Sequence, residues 1–109
     1  MRIRIAALGI AATLTLAATA AGAALDDAKA QEFLKKGGCA ICHSVDKKGI
    51  GPSFRDVARK RKGDAVATLE KSVRSGSKGA YGSIAMPPSS QDKISDADLR
   101  ELIAWILTK

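Results

Sequence analysis

The chain is poor in the side chains that fill a core or stack on a base: one Trp, one Tyr and two Phe among 109 residues. That scarcity counts against nucleic-acid binding, where aromatic side chains interleave with basic ones. It also leaves a domain this small short of apolar burial. A disulfide, a metal or a large cofactor is therefore expected to complete the interior. No alternating strand pattern occurs, so the βαβ setting of thioredoxin-like folds is absent. Soft ligands are equally few. There is one histidine, His43, and two cysteines, Cys39 and Cys42; after the initiator Met1 there is one methionine, Met86. A closed zinc site needs four Cys or His ligands, and this chain offers three.

What is present begins with the stretch MRIRIAALGIAATLTLAATAAGAALDD. Arg2 and Arg4 precede an uncharged segment that ends in small residues, the pattern of a secretory signal. Cleavage is expected after Ala21-Gly22-Ala23, with Ala18-Thr19-Ala20 as the alternative site. The competing reading is an uncleaved anchor, since about 20 apolar residues can span a bilayer. The alanine and threonine content makes insertion weak, so no stable membrane insertion is expected after cleavage. The chain then divides into a leader, residues 1–23, and one domain, residues 24–109, exported to a bacterial periplasm. Losing Arg2 and Arg4 lowers the net charge of +7 by two. The domain stays basic and should attract something anionic. The run Arg59-Lys60-Arg61-Lys62 reads as a solvated face.

Three stretches carry helical periodicity. Residues 27–36 place Ala30, Phe33 and Leu34 on one face and stop at Gly37-Gly38. Residues 65–75 place Val66, Leu69 and Val73 on one stripe, with Asp64 as the expected N-cap and Gly76 as the stop. Ser95-Asp96-Ala97-Asp98 resembles a capping box, and Leu99, Leu102, Ile103, Ile106 and Leu107 follow at helical spacing. A shorter helix fits 54–60. A loop of about 20 residues precedes the last helix, a length usually functional or disordered. The fold class is all-α with long loops.

Cys39-Ala40-Ile41-Cys42-His43 gathers both cysteines and the histidine. A thiol redox pair remains open as a second reading. A structural disulfide across so small a loop would stabilise little and leaves His43 unexplained. The C-x-x-C-H order is the pattern of covalent haem attachment. Two sulfurs must reach the two vinyl groups of one porphyrin edge while the adjacent imidazole turns under the ring to the iron. A near-helical backbone can place all three. For the second axial position Met86 is the soft candidate, with a lysine or Tyr81 as alternatives. Pro87 restricts Met86 to extended backbone, and Pro87-Pro88 stiffens the loop.

With FLKKGGCAICHSVDKKGIGPSFRDVA and SGSKGAYGSIAMPPSSQDKISDADLRELIAWIL in that order, the chain resembles the class I c-type cytochromes. It is most similar to the small bacterial c-551/c-552 kind, also called c8. The resemblance implies a small cytochrome c fold, about four helices with long loops around one covalent haem c. Cys39 and Cys42 would hold the porphyrin, and His43 and Met86 the iron. The Pro52 carbonyl would accept a hydrogen bond from His43, fixing the ring. Ile50 and Phe54 would line the pocket. Phe33 and Leu34 would approach Leu102, Ile103 and Ile106, and Trp105 would pack at a helix interface. Three positions depart from the family pattern. Tyr81 stands where relatives often carry Trp, and its phenol can still donate to a propionate. Ser72 replaces an Arg that some relatives direct at a propionate; Lys71 and Arg74 are spaced to point elsewhere. Ser89 replaces an Asn that can bond the methionine sulfur.

The implied function is single-electron transfer by a monomer, with no catalysis of its own. A haem enzyme or gas sensor with a labile Met86 is the alternative. The implied partners are redox proteins whose acidic patches meet a face bearing Lys47, Lys48 and Lys78.

Overall fold

The computed structural model describes residues 25–109; the expected leader and its cleavage sites lie outside them. Among the described residues there are four α-helices: α1 (Asp27–Lys36), α2 (Phe54–Lys60), α3 (Val66–Ser75) and α4 (Asp96–Ile106). A short 3-10 turn spans Cys39–Ile41, and the only extended pairing among the described residues is an isolated antiparallel bridge between Ser77 and Met86. The all-α expectation holds. None of these helices is long and apolar enough to cross a membrane.

Each helix starts where a side chain can satisfy its free amides, with one exception. Asp26 Oδ1 accepts from the Lys29 amide at 2.7 Å, Ser53 Oγ from Asp56 at 3.2 Å and Ser95 Oγ from Asp98 at 3.2 Å. These contacts satisfy amides that the first turn leaves free. The exception is α3. Asp64 does not cap it; Ala65 occupies the N-cap without a side-chain bond. The Asp64 carboxylate is taken instead by Arg61 Nε at 2.6 Å. A charge-assisted partner three residues back outcompetes the neutral amide. The box at α4 is also half made, because the Asp98 carboxylate lies 3.7 Å from Lys36 Nζ.

The core lies where α1 crosses α4. Ala30, Phe33 and Leu34 join Ile94, Leu99, Leu102 and Ile103 in one buried cluster, as the apolar spacing of both segments requires. Both α2 and α3 pack on α4 as well. Phe54 and Trp105 meet edge to face, with centroids 6.4 Å apart. Trp105 also fastens the ends of the fold: its Nε1–H donates to Asp27 Oδ1 at 2.9 Å. Lys109 Nζ sits 3.5 Å from the same carboxylate and 4.0 Å above the indole.

The indole bond and the Lys109 charge hold the Asp27 carboxyl below its ordinary value. A depressed carboxyl stabilises the fold above its unfolded pKa, and the contribution disappears as pH falls through the folded one. Asp27→Asn should therefore melt below the parent at neutral pH. The gap should begin to close only below about pH 4 and vanish once Asp27 is protonated. Thermal unfolding of both proteins from pH 7 to pH 2 checks this; a gap that ignores pH would contradict it.

Candidate functional site

The apolar faces of the four helices do not all meet one another. Leu99, Leu102, Ile103 and Ile106 of α4, Phe54 and Val57 of α2, and Leu69 and Val73 of α3 face a cleft of about 400 Å³. That lies within the roughly 300–1,000 Å³ range of ligand and cofactor sites. The cysteine turn closes one side and the segment from Ser77 to Pro87 the other. The charged residues lining it are all cations, Lys48, Arg61 and Lys78.

The Cys39–Ile41 turn continues α1 through Gly37 and Gly38. The Cys42 and His43 amides both donate to the Cys39 carbonyl, at 3.2 and 3.0 Å. This near-helical winding turns Cys39, Cys42 and His43 to the same cleft. Both thiols are free and half-buried. Burial pushes the Cys39 thiol above its ordinary value. Since reactive redox cysteines need an easily formed thiolate, that environment counts against a thiol oxidoreductase.

His43 is held on three sides. Its Nδ1 is 2.7 Å from the Pro52 carbonyl oxygen. A carbonyl only accepts, so Nδ1 carries the proton and Nε2 keeps its lone pair for another partner. The ring stacks on Phe54 at 5.2 Å and 21°. Gly51 lies against the Nδ1–Cε1–Nε2 side of the ring, so closely that a Cβ there would be 2.6 Å from His43 Cε1. The Gly51 amide donates to the Cys42 carbonyl at 2.8 Å, tying the loop to the turn it supports.

Met86 lines the same cleft, on a backbone fixed by its bridge to Ser77. The Met86 amide donates to Ser77 at 2.8 Å and the Ser77 amide to Met86 at 3.1 Å. Gly76 makes this possible: its φ is +76°, and a Cβ would come within 2.8 Å of the Met86 carbonyl. The Ser89 amide donates to Val73 at 3.0 Å. The long loop is thus pinned on both sides of the prolines, to Ser77 just past α3 and to Val73 within it.

Ile50 and Phe54 both line the cleft, Phe54 buried and Ile50 57 % exposed. Pro87 and Tyr81 also line it, whereas Ser89 does not. The Tyr81 hydroxyl and Ser89 Oγ are both buried without a hydrogen-bond partner among the described residues. Arg74 points away, to Asp96 Oδ1 at 2.7 Å and the Ile94 carbonyl at 2.8 Å. Of the three lysines expected at the mouth, Lys48 and Lys78 line it and Lys47 does not.

The run at 59–62 is the main correction. It is not a uniformly solvated face. Lys60 bonds the Ala80 carbonyl and lies 4.4 Å above the Tyr81 ring, and half-buried Arg61 lines the cleft. Charge alone could not reveal this, because the loop that meets these residues is 20 positions distant in sequence.

An apolar slot, two thiols on one turn, an imidazole with a spare nitrogen and an unpaired buried hydroxyl fit a covalently held haem c. A zinc centre does not fit: among the described residues no three His, Cys, Asp or Glu are grouped to hold a metal ion.

Comparison with known proteins agrees with this chemistry. A family model described as cytochrome c oxidase, cbb3-type, subunit III matches residues 18–106. Cytochrome c2 of Rubrivivax gelatinosus is 46% identical over 78 residues, covering 70% of this chain and 92% of that protein. Cytochrome c-552 of Nitrosomonas europaea is 42% identical over 99 residues, covering 86% and 91%. The crystal structure of wild-type Nitrosomonas europaea cytochrome c552 superimposes with a TM-score of 0.64 at 41% identity, covering 72% of this chain and 96% of that one.

The close approach at Gly51 yields a test. Gly51→Ala should displace the His43 ring and break its bond to Pro52, at about 1–3 kcal/mol for overpacking. The melting temperature should fall by several degrees, and the Nδ1 proton should exchange faster with solvent by NMR. An unchanged proton would contradict the steric argument.

Proposed function

The chain belongs to the class I c-type cytochromes of the small c-551/c-552 kind, and from that premise we propose a monomeric periplasmic electron carrier whose iron lies between His43 and Met86. Members of this family carry one covalently attached haem c and serve as electron carriers rather than enzymes. In this reading residues 1–23 direct export and are removed after Ala23, and Cys39 and Cys42 form the thioether bonds.

The observation that carries the reading is the state of His43. Its Nδ1 is engaged by Pro52 at 2.7 Å, so Nε2 is the nitrogen left to bind iron. The group supplies one-electron chemistry when bound. The residues supply the rest. Pro52, Gly51 and Phe54 fix the imidazole plane. The Ser77 bridge and the two prolines hold the Met86 sulfur, the kind of ligand that raises a haem potential. The apolar faces of α2, α3 and α4 exclude water and disfavour the more highly charged oxidised state. Rigid ligands on both sides leave no vacancy for a substrate.

Redox proteins with acidic patches are the partners this reading requires. Lys48 and Lys78 stand at the mouth of the cleft, beside exposed Ile50 and Ile84. The cations would speed encounter, and the apolar side chains would make a brief dry contact.

Two measurements test this. Mature protein should weigh its polypeptide from Ala24 plus one haem and give a pyridine haemochrome spectrum. Its oxidised form should show a methionine–iron charge-transfer band that Met86→Ala abolishes while lowering the potential. A colourless protein of bare polypeptide mass would refute the assignment, and a band that survives Met86→Ala would refute the ligand. Separately, electron transfer to an acidic partner should slow on the order of tenfold from low to physiological salt. Lys48→Gln/Lys78→Gln should flatten that dependence; a parent rate indifferent to salt would remove the steering role.

A further inference from the structure

Haem c carries two propionate carboxylates, and an apolar cleft must find donors for any that it buries. The cleft has one corner equipped for this. Tyr81 lines it with a buried hydroxyl that has no partner among the described residues. Arg61 lines it too, with its side chain 26 % exposed. The only side-chain hydrogen bond of Arg61 among the described residues runs from Nε to Asp64, so its terminal nitrogens are uncommitted. The other cations are less suited: Lys48 and Lys78 line the cleft but are exposed, and Arg74 does not line it. Arg74 is bound to Asp96 and the Ile94 carbonyl, Lys60 to the Ala80 carbonyl, and Ser72 brings no charge.

We propose that Arg61 supplies the charge that Ser72 lacks: its free guanidinium edge takes the haem propionate to which the Tyr81 hydroxyl is already expected to donate, so that the two form one anion-binding corner. The proposal rests on reading the cleft as the haem site. Asp64 becomes a positioning residue that aims the guanidinium by holding Nε. Arginine suits the task because its planar fork stays charged and matches a carboxylate edge. Lys60, lying over the Tyr81 ring, steadies the phenol from the other side.

The environment of Tyr81 agrees. Burial pushes its phenol up, so it remains a proton donor at neutral pH, and the Arg61 charge is near enough to pull the other way. The charged groups facing this corner are Arg61, Asp56, Asp64 and Lys60 around the phenol, with Lys48 and Lys78 at the mouth. Apart from the propionate itself, only the aspartates are anionic. Asp64 is paired with Arg61, and Asp56 is engaged by Arg59.

A carboxylate beside an arginine ionises lower, by about one to three pH units. With Arg61 present, the propionate should stay ionised and the reduction potential should be nearly flat from pH 5 to pH 8. In Arg61→Gln the fall of potential that accompanies propionate ionisation should move up by about one pH unit or more. Arg61→Lys should restore most of the parent profile, and Tyr81→Phe should produce a smaller shift in the same direction. Voltammetry across that range reads the effect, and intact mass and the visible spectrum report whether each variant carries haem. An Arg61→Gln profile that overlays the parent, in protein with haem attached, overturns the proposal and leaves the haem reading standing. A parent without covalent haem overturns both. If Arg61 only clasps Asp64, then Arg61→Gln and Asp64→Asn should lose equal thermal stability with no change in either profile, which also overturns it. Should Arg61→Gln fail to fold, the Tyr81→Phe profile decides: an unshifted curve counts against the corner.

Discussion

Everything in this fold answers to one constraint: the apolar faces of its helices converge on a cleft instead of closing on themselves. Only the α1–α4 crossing forms a conventional core, with Leu34, Ile94, Leu99, Leu102 and Ile103 fully enclosed. Next to it, α3 buries Leu69 alone and leaves Val66 and Val73 half covered. A fully buried aliphatic side chain contributes about 1.5–3 kcal/mol. A domain with so few of them has little margin unless something fills the cleft. Ligand binding and folding are then linked, since whatever occupies the cleft adds its affinity to the stability of the folded chain.

That constraint explains why the site is built on backbone rather than on elaborate side-chain networks. With one histidine and one internal methionine, orientation must come from the chain around them. A carbonyl at Pro52 sets the tautomer of His43, and a glycine at 51 lets the strand of backbone lie against the ring. On the opposite side a glycine at 76 turns the chain so that the Ser77–Met86 bridge can form. Neither glycine tolerates a Cβ, and both stand directly behind a proposed iron ligand. Proline supplies the complementary stiffness: positions 52, 87 and 88 restrict the residues before them. Rigidity on both sides matters for a carrier, because ligands that stay in place in both oxidation states leave little to reorganise when the electron moves.

The sequence made most of this readable where the signal is local. Helical periodicity located α1, α3 and α4, with Ser95 marking the start of the last, and C-x-x-C-H and Met-Pro-Pro each contribute residues that line the cleft. What escaped were pairings between distant residues. Asp64 looks like a cap because it precedes an apolar stripe, yet Arg61, on the same turn, holds its carboxylate. Trp105 reads as packing, and its bond to Asp27 spans 78 positions. Lys60 and Arg61 read as solvated because they sit in a basic run, whereas exposed Lys60 is bonded to a loop folding back from position 80 and the cleft admits Arg61. Long basic side chains conceal this well, since their stems pack on apolar surface while their heads remain polar.

Charge distribution links these misread residues to the proposed activity. A cleft lined only by cations among its charged residues favours the less positive state of whatever metal it holds, and so favours reduction. An ionised propionate opposes that bias with negative charge inside the same low-dielectric volume. A guanidinium that pairs with it cancels much of the opposition and keeps the carboxylate from changing protonation over the working pH range. The lysines at the mouth differ in kind. They are exposed, screened within about 8 Å by physiological salt, and would act on approaching partners more than on the iron. On the proposed reading, one sign of charge would serve two functions separated by burial: the half-buried arginine would set the internal electrostatics, and the exposed lysines would govern encounter.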